Sequence, residues 1–178
     1  MEKIETPIPG CFELKPRIFQ DDRGKLIKTY HEDTYKDLGL STSFTEEYYS
    51  GSKKGVLRGL HFQTPPNEHI KCVTCISGEI FDVVVDLRKD SPTYKQHFTI
   101  ELDSEKGNML YIPAGMAHGF YVMSDYAIFL NRTTVVFKPE SDTGIKWDSC
   151  GIEWPDMSPI LSDKDIALPT LDEYESPF

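Results

Sequence analysis

The chain has 178 residues, 39% of them hydrophobic and 12% aromatic, enough apolar material for one folded domain over 1–178 and too much for a disordered chain. A formal net charge of −10 argues against a nucleic-acid partner, and no run of about 20 apolar residues offers a transmembrane span. The segment Met1 to Pro7 lacks the apolar core of a signal peptide, so no membrane partner and a cytoplasmic setting are expected.

Turn signals recur at short spacing, the pattern of a β-sandwich or barrel. Asp21-Asp22-Arg23-Gly24 reads as a turn followed by a strand over 25–30. Residues 32–40 read as a short helix stopped near Gly39. The aromatic run 43–50 and the stretch 56–63 read as strands. Residues 71–76 and 79–87 predict a hairpin turned at Ser77-Gly78. Further strands are predicted over 98–102, 109–112, 120–123 and 127–137. Beyond Lys138 the chain becomes rich in Asp, Ser and Pro, with a short helix near 161–165 capped by Ser162. The expected architecture is all-β, closed enough to hide its strand edges, with short helical segments and an irregular C-terminal region.

Cys72 and Cys75 form a C-x-x-C pair, with Cys11 and Cys150 elsewhere. On a strand this odd separation sends the two thiols to opposite faces. No second pair completes a zinc site, so a core role is expected for both.

Two segments each set a histidine beside glycine: Arg58-Gly59-Leu60-His61-Phe62-Gln63 and Pro113-Ala114-Gly115-Met116-Ala117-His118-Gly119-Phe120. The second, with Gly107 upstream, resembles the second motif of the cupin fold, in which Pro and Gly aim the histidine into a barrel mouth. Many cupins add an upstream H-x-H pair to hold a metal. Only His61 stands there in this chain, so no metal and no other cofactor is expected. Taken with Gly78 to Tyr94, Gly144-Ile145-Lys146-Trp147-Asp148 and Leu161-Ser162-Asp163-Lys164-Asp165, the two segments resemble the dTDP-4-dehydrorhamnose 3,5-epimerase family. The resemblance runs from about Pro9 to Asp165.

This resemblance implies a cupin-type jelly-roll barrel and an epimerase of nucleotide-linked 4-keto-6-deoxyhexoses. In such a sugar the C3 and C5 hydrogens are acidic because both carbons flank the C4 ketone. Inversion needs a base on one face, an acid on the other and a positive group for the enolate between the two steps. By resemblance His61 is the base, and Asp165 orients it as a carboxylate orients a catalytic histidine elsewhere. Lys71 follows the pattern of the lysine that faces the enolate oxygen. His118, Arg58 and Arg23 match contacts to sugar and diphosphate, for which the arginine fork is suited. Gln63, Asp142 and Lys164 match further substrate-binding positions. The family forms homodimers in which the N-terminal arm, here about 1–30, reaches the other subunit's pocket.

The chain departs from the family pattern at several positions. The family acid is a tyrosine within F-L-Y-K-T-T, whereas here Phe129-Leu130-Asn131-Arg132 places Asn131 there. An amide supplies no proton at neutral pH. The family's Q-x-N is replaced by Glu46-Glu47-Tyr48, which makes Tyr48 a candidate acid as well as a candidate packing residue. Lys28 stands where a glutamate is usual near the base; a lysine donor suits the acceptor N3 of cytosine, so a CDP-sugar joins the dTDP-sugar as an expected substrate. Phe137 replaces a stacking tyrosine and keeps the stacking face. The leading expectation is inversion at one of C3 and C5. A 3,4-ketoisomerase of the same sugars and a non-catalytic sugar-nucleotide-binding cupin are the alternatives.

Overall fold

The computed structural model describes residues 1–178. Its strands are β1 (Glu2–Glu5), β2 (Phe12–Lys15), β3 (Ile18–Asp21), β4 (Gly24–Ile27), β5 (Glu46–Lys53), β6 (Leu57–Gln63), β7 (Lys71–Ser77), β8 (Glu79–Asp86), β9 (His97–Asp103), β10 (Met109–Ile112), β11 (Met116–Val122), β12 (Tyr126–Thr133) and β13 (Asp142–Gly144). Two short α-helices, α1 (Glu32–Asp37) and α2 (Asp163–Ile166), and a 3-10 helix over Trp147–Ser149 complete the regular structure. One sheet runs β1-β2-β10-β7-β12-β5 and the other β13-β6-β11-β8-β9, while β3 and β4 form a separate ribbon. The two sheets pack as a jelly roll.

Three apolar clusters explain why so many strands lack clean alternation. Val73, Leu110, Ile112 and Phe129 of the first sheet meet Ile80, Val84, Met116 and Val122 of the second between the sheets. The outer face of the second sheet, through Leu57, Val83, Val85 and Tyr121, is covered by Trp147, Ile152 and Trp154 of the irregular C-terminal region. The outer face of the first, through Leu14, Cys72 and Met109, is covered by Tyr35 of α1. A strand buried on both faces reads as a continuous apolar run, as Val83-Val84-Val85 does. Cys72 and Cys75 belong to different clusters, one on each face of β7, and both thiols are free.

The predicted hairpin at Ser77-Gly78 does not form. β7 pairs with β10 and β12, and β8 pairs with β11 and β9. Gly78 is instead a corner where the chain passes from one sheet to the other. Its φ is +82°, and a Cβ there would lie 2.3 Å from the Tyr126 carbonyl oxygen. The Ser-Gly signal marks a change of direction correctly, but each run is buried on both faces and finds its partners elsewhere.

Other boundaries shift for local reasons. α1 ends at Asp37 because Leu38 caps it and Gly39 turns to φ +70°. β11 begins at Met116, four residues before the expected start, because the turn of the glycine-rich motif is finished by Gly115. β12 stops at Thr133 rather than at Phe137. β1, β2, β3 and β13 are short strands that were not anticipated.

Candidate active site

The open end of the jelly roll holds a cavity of about 580 Å³. Alternation along β5 presents Glu46, Tyr48 and Ser50 to it, and alternation along β12 presents Phe129, Asn131 and Thr133. Lys71 enters from β7 of the same sheet. The opposite sheet contributes Arg58, His61 and Gln63 from β6 and His118 and Phe120 from β11. Asp142, Phe137, Lys164 and Asp165 close the rim.

In a regular strand Arg58 and His61 would face opposite ways. The register between β6 and β11 slips, so that His118 pairs with His61 while Phe120 pairs with Arg58. Gly59 at φ +135° makes the slip possible, and a Cβ on it would lie 2.6 Å from the Gly119 Cα. A Cβ on Gly119 would in turn lie 2.6 Å from the Arg58 carbonyl oxygen. Gly59, two residues before His61, and Gly119, next to His118, are therefore what let the two backbones approach. Gly119→Ala is expected to cost about 1–3 kcal/mol by overpacking, read as a lowered thermal midpoint, and to reduce turnover by separating the histidines. An unchanged midpoint would contradict this packing argument.

His61 is half-buried, and its Nε2 lies 2.5 Å from Asp165 Oδ1. Asp165 is held by its own helix, since Ser162 caps α2 and accepts from the Asp165 N–H at 3.2 Å. Burial raises the Asp165 carboxyl, but hydrogen bonds from His61, Ser162 and the Gly59 N–H outweigh it, and the net shift is downward. An ionised Asp165 accepts from Nε2–H, which leaves the lone pair on Nδ1, an atom with no hydrogen bond to the protein.

Lys71 is buried, and its Nζ donates to the His61 carbonyl oxygen at 3.0 Å. Burial pushes its pKa down to about 8, against the pull of Asp142 and Asp82. His118 Nε2 lies 3.0 and 2.9 Å from the two oxygens of Asp82, a carboxylate with no exposed surface. Burial raises Asp82 and lowers His118, each against the attraction of the other.

Asn131 is buried, and its Nδ2 donates to the Tyr48 hydroxyl at 2.7 Å. Its Oδ1 is buried without a partner. Arg58 Nε donates to Ser52 Oγ at 3.0 Å. Gln63 donates to the Asn67 carbonyl at 2.9 Å and accepts from the Lys138 N–H at 2.6 Å. Lys164 pairs with Asp142. Glu46 accepts from the Phe137 N–H at 2.9 Å, and the Phe137 ring is exposed at the rim.

Arg23 and Lys28 are not brought to this cavity. Both lie exposed on the β3–β4 ribbon, and Arg23 pairs with Asp21 at 2.5 Å. Two titratable groups at or beside the site escaped the sequence reading. Asp82 does not line the cavity but holds His118 from behind; its signal was a carboxylate within the buried apolar strand β8, which also carries the buried Asp86. His69 carried no such signal; it lies 3.2 Å from Gln63 Nε2, and burial lowers its pKa to about 4.

The sequence pattern of the dTDP-4-dehydrorhamnose 3,5-epimerase family matches residues 5–173, nearly the whole chain. The chain belongs to that family. It is a sugar-nucleotide epimerase, an isomerase. The dTDP-4-dehydrorhamnose 3,5-epimerase of Salmonella typhimurium is 45% identical over 174 residues, covering 96% of this chain and 95% of its own. The structure of the Bacillus anthracis dTDP-4-dehydrorhamnose 3,5-epimerase with TDP and PPi bound superposes at a TM-score of 0.93 with 39% identity, covering 96% of this chain and 99% of its own. A 3'-monoepimerase from Streptomyces bikiniensis in complex with dTDP-quinovose superposes at 0.89 with 28% identity, covering 95% and 87%.

Proposed function

We propose that the cavity inverts one carbon beside the C4 ketone of a nucleotide-linked 4-keto-6-deoxyhexose. The observation that carries this reading is the 2.5 Å contact between His61 and Asp165 at a pocket that also buries Lys71. His61 Nδ1 takes the proton from C3 or C5. The electrons of that bond form the enolate, and the ammonium of Lys71 stabilises its oxygen. Asp165 is a positioning residue that fixes the tautomer of His61.

His118 donates Nε2–H to Asp82, so its remaining nitrogen is an acceptor and serves a sugar hydroxyl rather than a phosphate. Arg58 and Lys164 supply charge to the diphosphate, and Phe137 stacks on the base. Asp142 holds Lys164, and Gln63 anchors Lys138 at the rim. Glu46 fixes the Phe137 backbone. dTDP is the nucleotide favoured by the relatives, and CDP is retained on the chemistry of Lys28.

The ribbon exposes Ile18, Phe19 and Leu26 at 37, 45 and 54%. Such an apolar patch beside Arg23 and Lys28 fits a homodimer in which the 1–30 arm completes the partner's pocket. No helix is long and apolar enough to cross a membrane. The four free, buried thiols fit a reducing, cytoplasmic setting.

The test is product analysis after incubation with dTDP-4-keto-6-deoxyglucose and its CDP counterpart. A sugar inverted at one carbon is expected. A ketone moved to C3 would mean the ketoisomerase, and unchanged sugar that nevertheless binds would mean the non-catalytic protein.

A further inference from the structure

Inversion needs a proton donor facing the base from across the sugar, and the amide at position 131 supplies none. We infer that Tyr48 is that acid, carried on β5 and set in place by Asn131. The inference rests on the epimerase reading above and adds the second half of its proton chemistry.

Three observations support it. First, Tyr48 and His61 line one cavity from opposite sheets, as a two-faced reaction requires. Second, Tyr48 and Asn131 are direct cross-strand partners, and Asn131 Nδ2 reaches the phenol oxygen at 2.7 Å. An asparagine extended by one hydrogen bond spans roughly the length of a tyrosine side chain. The pair therefore holds a phenol about where a tyrosine at 131 would carry its own. Third, the phenol oxygen accepts this bond, so its own proton is left to donate. The same N–H stabilises the phenolate once the proton has gone. Tyr48 is 48% exposed overall, but desolvation on the cavity side raises its pKa and the Asn131 bond only partly offsets it, so the phenol is protonated at neutral pH.

The other groups on that wall are engaged or unsuited. Thr133 donates its hydroxyl proton to the Val135 carbonyl, and Glu46 accepts from the Phe137 N–H. Lys71 donates to the His61 carbonyl, on the side of the base. Ser50 offers an aliphatic hydroxyl, a far weaker acid than a phenol.

The step balances without a co-reactant. His61 holds the proton removed from carbon. The enolate electrons form a new C–H bond with the Tyr48 hydroxyl proton on the opposite face, and the ketone returns. The tyrosinate recovers a proton from water, and His61 releases one to water.

The experiment follows deuterium and product together in D2O with dTDP-4-keto-6-deoxyglucose, for the unaltered protein, Tyr48→Phe, and the double variant Tyr48→Phe/Asn131→Tyr. dTDP binding by each variant verifies folding. Tyr48→Phe is expected to lose inverted product by about 10²-fold or more, while deuterium still enters at carbon through His61. The double variant is expected to recover product, because its acid returns to position 131. Inversion by Tyr48→Phe at the unaltered rate would overturn the inference alone. Equal loss of exchange and inversion, without recovery in the double variant, would also overturn it by reducing Tyr48 to a structural role. No exchange in the unaltered protein would overturn the epimerase reading, and this inference with it.

Discussion

His61→Asn is expected to lower turnover by about 10³-fold, within the range that one general base contributes. Asparagine keeps a polar group of similar reach beside Asp165 but has no lone pair basic enough to remove a proton from carbon. Asp165→Asn is expected to cost nearly as much for a different reason. The new amide can donate to Nε2, which turns the imidazole into the wrong tautomer and moves its hydrogen to Nδ1. The Asp165 carboxylate also answers the only hydrogen bond that His61 makes through its ring. Steady-state kinetics on both variants, with dTDP binding as the folding control, tests the pair. Full activity in either variant would remove the dyad from the mechanism.

Lys71→Met is expected to reduce turnover by about 10²–10³-fold, the loss seen when one stabiliser of an oxyanion is deleted. It also predicts two opposite pH trends. With a folded pKa of about 8 against the usual 10.5, Lys71 is charged at pH 7, so activity falls as pH rises through about 8. Stability moves the other way. Between about 8 and 10.5 the unfolded chain holds the proton and the folded chain does not, so the Lys71 contribution to stability rises with pH. Below about 8 both states are protonated, and the folded state carries the full cost of a buried ammonium. The methionine variant should therefore gain stability at neutral pH relative to the parent and lose that advantage by pH 10. Thermal melts across this range, paired with a pH–rate profile, measure both limbs. A parent profile flat through pH 8–9 would contradict the assignment.

Much of the site was legible because its parts are local. The R-G-L-H, P-x-G-x-x-H and L-S-D-K-D segments are each recognisable within a few residues through the family they resemble, Ser162 reads as a helix cap by itself, and the fold brings His61, His118 and Asp165 to one cavity. What was not legible depends on pairing. Whether Ser77-Gly78 makes a hairpin or a corner is decided by which sheet each run joins, and two runs buried on both faces give no sign of that. Arg58 faces the cavity only because β6 and β11 slip at Gly59, which strict alternation would not show. Asp82 meets His118 from the neighbouring strand, a contact set by the β8–β11 register. Arg23 and Lys28 belong to a ribbon that does not line this chain's own pocket, a placement that depends on where β3 and β4 stand and not on local spacing.

The most direct measurement is proton NMR of dTDP-4-keto-6-deoxyglucose in D2O with the purified protein and with its His61→Asn variant. The account predicts that deuterium replaces hydrogen at one carbon flanking the ketone, that an epimer inverted there accumulates, and that both processes vanish with His61. Undiminished C3–H and C5–H signals with the unaltered protein, for the dTDP and the CDP sugar alike, would contradict it.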